Sequence, residues 1–283
     1  MTTPDSASPG LSNAWSRVAG GLRYYGAKLA AGARWAAEAG VDTLYPHTCA
    51  ACETELPDGR SARLLCDGCR SRLVRLDQAW CPRCAAPAGP YAASETGCRE
   101  CLNEAFPFES AVTLGGYREQ AGPADGHGSL LRSLILQAKA SGGPRLTEAL
   151  TQELLEVRRG WFQNLAPDAV VPVPHFWAQR LVRGDLTPQT IGAVLARQLR
   201  RPLQHDAVRK TRWTRRQTRL PGSTRRVNLR SAFAWTGRPV AGLRLLLVDD
   251  VMTTGATVKG VAKVLLEAGA KEVHVAVLAR STG

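Results

Sequence analysis

Leu243-Arg244-Leu245-Leu246-Leu247-Val248-Asp249-Asp250-Val251-Met252-Thr253-Thr254-Gly255-Ala256-Thr257 is the stretch from which the rest of this chain can be read. Leu245 to Val248 is an unbroken apolar run, which predicts a parallel strand buried on both faces. Beyond the Thr/Gly turn, Val258, Val261, Ala262 and Leu265 recur at i, i+3, i+4 and i+7. That spacing predicts a helix, with Gly269 as its C-cap. Val273, Val275, Val277 and Leu278 predict the next strand. Together they make a βαβ unit, and sheets built this way hold ligands at the carboxyl ends of their strands.

The chemistry lies at that end. Thr253 to Thr257 form the turn into the helix, where unpaired backbone N–H groups and the helix dipole favour a phosphate. Gly255 permits close backbone approach, and the hydroxyls of Thr253, Thr254 and Thr257 add donors. Asp249 and Asp250 are acceptors suited to ribose hydroxyls and to a Mg2+ ion. A 5-phosphorylated ribose carries both features. An ordinary strand–turn–helix with threonine caps is the plainer alternative, but it gives no reason for two adjacent acids at the end of a buried strand.

Elsewhere, Ala111 to Leu114 reads as the first strand of the same domain, and Ser129 to Ala138 and Leu146 to Val157 read as helices. Leu11 to Ala39 predicts a leader helix with Leu22, Tyr25, Leu29 and Ala33 on one face. Packing on the cysteine-rich ribbon that follows is favoured for it over a membrane- or partner-facing role.

All eight cysteines fall in C-x-x-C pairs: Cys49/Cys52, Cys66/Cys69, Cys81/Cys84 and Cys98/Cys101. The first four map onto the last four by a constant shift of 32, a two-copy repeat. Two such turns aim four sulfurs at one point, the donor set of a structural zinc site, with iron in the same thiolate geometry as the rival. Segments this short have little core, so metal supplies most of their folding energy. Sequential pairing follows from the repeat, and a cross-braced pairing satisfies the same spacing. Disulfides need an oxidising compartment, of which the sequence gives no sign. A closed four-thiolate site has no open ligand position, so these cysteines are not expected to be catalytic.

Composition is that of a globular protein: 44% apolar and 22% charged residues in 283. No apolar run reaches membrane-helix length, and the start of the chain has no basic or apolar leader pattern, so a cytoplasmic location is expected. The formal charge of +13 is concentrated in one segment: Arg197 to Arg244 holds fourteen basic residues and a single acid, Asp206. Such a block seeks polyanions, whether diphosphates or nucleic acid, unless it is only a solvated basic loop. P-loop, dinucleotide-binding, zincin and serine-hydrolase patterns are absent from the sequence.

Leu246 to Thr257 resembles the complete signature with which type I phosphoribosyltransferases bind 5-phosphoribosyl 1-diphosphate (PRPP). With the cysteine repeat upstream, the chain resembles the ComF family of competence-associated, phosphoribosyltransferase-like proteins from about Val41 onward. Further matches are Leu44-Tyr45-Pro46, Ile135 to Lys139 with Gly142, Val171-Pro172-Val173-Pro174, Arg183-Gly184, and Gln217 with Arg226 and Asn228. Two places depart from the family: Asp185-Leu186-Thr187-Pro188-Gln189 follows Arg183-Gly184, and Ala140 follows Lys139 where an aromatic is usual.

The resemblance implies an α/β fold, a type I phosphoribosyltransferase-like parallel sheet flanked by helices and preceded by a small double zinc ribbon. It implies a leader over residues 1–42, the ribbon over 43–105 and the transferase-like domain over 106–283. It places PRPP and Mg2+ on Asp249, Asp250, Val251, Met252, Thr253, Thr254, Gly255, Ala256 and Thr257. It places the diphosphate by the Pro172 to Phe176 loop, with Pro174 and His175. The closing lid falls within Arg212 to Asn228, so Lys139, Arg212, Arg215 and Arg216 are expected to stabilise departing diphosphate. The activity implied is phosphoribosyl transfer to an acceptor the sequence does not name. Two other readings stand beside it: an accessory protein gripping single-stranded DNA and meeting competence-machinery proteins, and a PRPP or nucleotide sensor without turnover.

Overall fold

The computed structural model describes residues 48–56, 64–73, 79–88, 93–94, 97–102, 104–117, 126–139, 143–174, 187–211 and 232–281. The leader helix expected within Leu11–Ala39 lies outside them. The chain forms two compact units, Met1–Thr48 with Glu55–Ser61, and Cys49–Thr54 with Ala62–Gly283. Of the first, residues 48, 55 and 56 are described, and Thr48 and Glu55 form an isolated antiparallel bridge. The second holds both cysteine clusters and the sheet.

The 32-residue repeat reappears as repeated backbone geometry. The Cys49 amide donates to the Thr54 carbonyl and the Cys81 amide to the Ala86 carbonyl, both at 2.8 Å. Glu53 and Ala85 each donate back to the first cysteine of their turn, at 2.8 and 2.9 Å. Both adopt left-handed backbone, with φ of 61° and 54°, which lets each turn wrap its pair of sulfurs. The first cluster runs into helix α1 (Asp67–Leu73). Around the second lie hairpin β1 (Ala79–Trp80) with β2 (Pro87–Ala88), hairpin β3 (Ala93–Ser94) with β4 (Gly97–Cys98), and helix α2 (Arg99–Leu102).

Next come β5 (Ser110–Tyr117), α3 (Gly126–Gln137), α4 (Gly143–Val157), α5 (Arg159–Leu165), β6 (Ala169–Pro172) and α6 (Thr187–Leu199). A hairpin, β7 (Val208–Lys210) with β8 (Phe233–Trp235), precedes β9 (Arg244–Met252), α7 (Ala256–Glu267) and β10 (Glu272–Ser281). Four strands form a parallel sheet in the order β5-β10-β9-β6. The central pair, β9 and β10, carries the apolar runs read from sequence, and Leu245 to Val248 are all fully buried. Both strands are longer than those runs, so Asp249 and Asp250 belong to β9 itself. Alternation divides the core. Leu245 and Leu247 join one buried cluster with Val258, Val261 and Leu265 of α7.

Helix α7 ends in a Schellman motif. Ala268 is its C-cap, one residue before the position expected, and Gly269 follows at φ 95°. The Ala270 amide reaches the Leu265 carbonyl at 3.0 Å and the Gly269 amide reaches Leu266 at 2.9 Å.

The second cysteine cluster is not a separate appendage. Cys81, Cys84, Ala85, Ala86 and Cys98 share one apolar cluster with Phe106, Phe108, Met252 and Val258. The Ala111 amide at the start of β5 bonds the Pro82 carbonyl at 3.0 Å. Lys259 of α7 pairs with Glu104 and lies 4.1 Å above the Phe106 ring. The first cluster is held by charge instead: Arg70 of α1 bonds Glu153 at 2.7 Å and Glu156 at 2.8 Å, both on α4. Among the described residues, no helix is long and apolar enough to cross a membrane.

Candidate functional site

Strand β9 delivers two carboxylates to its carboxyl end. Asp249 and Asp250 are each only 8% exposed. Each turns back on the next amide: Asp249 Oδ1 accepts from Asp250 N at 2.9 Å, and Asp250 Oδ1 accepts from Val251 N at 2.6 Å. Burial pushes the Asp249 carboxyl up to about 8, and the adjacent Asp250 charge pushes the same way. This is a site where negative charge is already crowded and a cation is wanted.

Two lysines answer that charge. Lys139, just past α3, forms an ion pair with Asp250 Oδ2. It was expected beside a departing diphosphate; in the fold its ammonium is engaged with the acid pair. Lys210, at the end of β7, is half-buried; burial lowers its ammonium below the ordinary lysine range, and the Asp249 carboxylate draws it back up. Lys210 was visible in sequence only as one of fourteen basic residues. Nothing local marks it, because the influence of Asp249 on it crosses 39 positions of sequence and arises only in the folded chain. In the sequence it stands two residues before the Arg212 to Asn228 segment.

The turn after β9 is built for access. Thr253 and Thr254 are exposed, whereas Gly255 is buried. Gly255 sits at the N-cap of α7 with φ 72° and ψ 4°, a left-handed conformation that penalises any side chain. No side-chain cap is bonded from Gly255 itself; Thr254 Oγ1 accepts the Ala256 amide at 3.4 Å. Beneath the turn lies Arg280 of β10, 6% exposed. Its Nη1 donates to the carbonyls of Met252 (3.2 Å), Thr253 and Ser281 (2.8 Å), and its Nε to the carbonyl of Cys84 (3.3 Å). No motif surrounds Arg280 in the sequence, so nothing local marks it as part of the site.

On the other flank, β6 pairs Pro172 with Val248, and the Val173 amide extends the ladder to the Val248 carbonyl at 2.9 Å. Val173 and the buried Pro174 therefore follow the strand beside the acid pair. His175, Arg212, Arg215 and Arg216 lie outside the described residues. The fold thus brings together Lys139, Asp249, Asp250, Val251, Met252, Thr253, Thr254, Gly255, Ala256, Thr257 and, beside β9, Pro174.

The cysteines gather in sequential sets: Cys49, Cys52, Cys66 and Cys69, and then Cys81, Cys84, Cys98 and Cys101. None of the eight is in a disulfide. Sulfur separations are 3.7 Å for Cys52–Cys66, 3.7 Å for Cys81–Cys101, 3.6 Å for Cys84–Cys98 and 3.9 Å for Cys98–Cys101. A tetrahedron with metal–sulfur bonds of about 2.3 Å has edges of about 3.8 Å, so both sets fit zinc. Cys66 N and Cys69 N point at Sγ of Cys49 and Cys66, at 3.3 and 3.4 Å, the outer support that thiolate ligands receive.

A double zinc ribbon domain matches residues 40–102, and a phosphoribosyl transferase domain matches residues 186–282. The protein of Escherichia coli (strain K12) named DNA utilization protein YhgH is 33% identical over 236 residues, covering 83% of this chain and 98% of its own. The chain belongs to the ComF family. Other members named for competence are competence protein F of Haemophilus influenzae and competence protein ComFC of Bacillus subtilis. The first is 29% identical over 77% of this chain and 90% of its own. The second is 24% identical over 72% and 79%. Among solved structures, orotate phosphoribosyltransferase from Aeropyrum pernix aligns over 49% of this ComF-family chain and 62% of its own, at 27% identity and a TM-score of 0.32. By its two family models and its parallel sheet, this ComF-family chain pairs a double zinc ribbon with a phosphoribosyltransferase-like α/β domain.

Proposed function

We propose that this ComF-family chain binds PRPP with Mg2+ and transfers its phosphoribosyl group to an acceptor. One observation carries the reading: two buried carboxylates at the end of β9 run directly into a left-handed glycine that opens a helix. In this reading Asp249 and Asp250 accept the ribose hydroxyls. The turn amides and the hydroxyls of Thr253, Thr254 and Thr257 hold the 5-phosphate. The diphosphate lies toward Pro174 and His175. Asp249 and Asp250 would hold Mg2+ at the end of β9, where it would supply positive charge to neutralise the diphosphate. The bond from the anomeric carbon to the diphosphate oxygen breaks, and one to the acceptor's nucleophile forms. Lys210, Arg212, Arg215 and Arg216 take up the charge that develops on the leaving diphosphate. Lys139 joins them once it leaves Asp250. Binding without turnover makes the same site a PRPP sensor.

The test is a thermal-shift and calorimetric titration of the zinc-loaded protein with PRPP and Mg2+. A rise in melting temperature that D249A/D250A abolishes is expected, and an unmoved wild type at saturating PRPP would sink the reading. Pyrophosphate release screened over nitrogen-base acceptors separates transferase from sensor.

The basic block favours a second reading, in which single-stranded DNA lies along the lid and the zinc ribbons, during DNA uptake with partners of the competence machinery. The names of the Escherichia coli and Haemophilus influenzae relatives support it. Its mark is an affinity that falls steeply with salt and depends on Arg212, Arg215 and Arg216. Absent or salt-insensitive DNA binding counts against it.

A further inference from the structure

We infer that Arg280 is a positioning residue: it turns the amides of the Met252–Thr254 turn outward and ties that turn to the second cysteine cluster. The inference rests on the phosphate-binding reading of the turn. Described peptide bonds are all trans, so in each peptide plane the carbonyl and the following N–H point in opposite directions. The Met252 and Thr253 carbonyls are drawn inward onto Nη1 of Arg280. The N–H groups of Thr253 and Thr254 must therefore face away from the guanidinium, on residues that are exposed. A buried cation also adds positive potential behind those amides, which favours an anion in front of them.

The other end of the same side chain fixes the second ribbon. Nε donates to the carbonyl of Cys84, 196 residues earlier and itself a cysteine of the second cluster. Met252, whose carbonyl is held, shares an apolar cluster with Cys81, Cys84 and Cys98. Zinc in that cluster holds the Cys84 turn rigid when bound. Arg280 carries that rigidity to the turn, so the ribbon acts on ligand binding without touching ligand. A lysine in place of Arg280 keeps the charge but donates from one point, and cannot hold both ends of this bridge.

The experiment compares wild type, R280K and R280A for zinc content, melting temperature and affinity for ribose 5-phosphate and PRPP with Mg2+. R280K is expected to fold with full zinc content and to bind both ligands about tenfold more weakly. In 15N-labelled wild type, ligand is expected to shift the Thr253 and Thr254 amide protons downfield, and R280K is expected to lose that shift. A general loss of stability would not remove it selectively. Cys101 is the half-exposed ligand of the second cluster, and C101S is expected to weaken binding less in the R280K background than in wild type. R280K binding as tightly as wild type, with the amide shifts intact, overturns the inference while leaving the site reading untouched. Additive effects of C101S and R280K overturn the ribbon coupling. Wild type that binds neither ligand overturns the site reading and this inference with it.

Discussion

Lys139 and Asp250 neutralise one another across the mouth of the candidate site. The ammonium meets Asp250 Oδ2, with the two side chains 26% and 12% exposed. A divalent cation approaching the acid pair competes with a positive charge already in place. The pair thus braces the acid end of β9 and occupies an oxygen that a cation there would need.

Removing the lysine separates those roles. K139A leaves Asp250 uncompensated, which should destabilise the protein by about 1–2 kcal/mol, discounted from a fully buried pair for partial exposure. The same change opens the acid pair to cations. Mg2+ alone should raise the melting temperature of K139A more than that of wild type. Equal responses would show that the lysine does not compete with metal.

The acid pair also sets a pH dependence. Asp249 is held up to about 8 in the folded protein by burial and by Asp250, against an ordinary carboxylate value when unfolded. The folded state thus binds the proton more tightly. That contribution to stability is complete below the unfolded value and is lost as pH rises through about 8. Melting temperature, followed from pH 6 to pH 9, should fall more steeply in wild type than in D249N. Parallel curves would contradict the assignment.

Gly255 is predicted to tolerate no side chain, for reasons of backbone rather than space. An added Cβ would meet Lys259 Cε and Met252 Sδ at an ordinary 3.5 Å. The φ of 72° is what excludes it. G255A should cost about 1–2 kcal/mol and weaken PRPP binding by reshaping the turn. Unchanged melting and affinity, measured by calorimetry, would show that the turn takes another conformation.

The two cysteine clusters should respond unequally to loss of metal. Two zinc ions per chain are expected from the two clusters, checked by elemental analysis. Cys84 is fully buried in the core shared with β9 and α7, whereas Cys52 is exposed. C84S should therefore abolish cooperative unfolding of the whole sheet. C52S should lower the melting temperature and lose one zinc while the sheet persists. A mild C84S phenotype would mean that the second cluster is not part of the core.

Much of this was legible in the sequence because it is local. The constant shift of 32 between cysteines specified two equivalent turns, and the fold repeats them bond for bond around Cys49 and Cys81. Apolar runs announced β9 and β10, and the i, i+3, i+4, i+7 pattern announced α7. Neighbouring residues encode these features, since strand burial, helix amphipathicity and metal knuckles each need only a short window. The leader and the basic lid fall outside the described residues, so their readings stand as sequence expectations.

What the sequence by itself determined was the chemistry available: eight thiols in two sets, an acid pair, a glycine turn and a block of cations. Tertiary structure alone decided which of these meet. It fused the second cysteine cluster into the sheet's core, set Lys139 on Asp250 and Lys210 toward Asp249, and slid Arg280 beneath the turn. The last depends on register: β10 lies parallel to β9 with Arg280 opposite Met252. A slip of one residue would swing that guanidinium to the other face, and no local pattern records where a strand's partner begins.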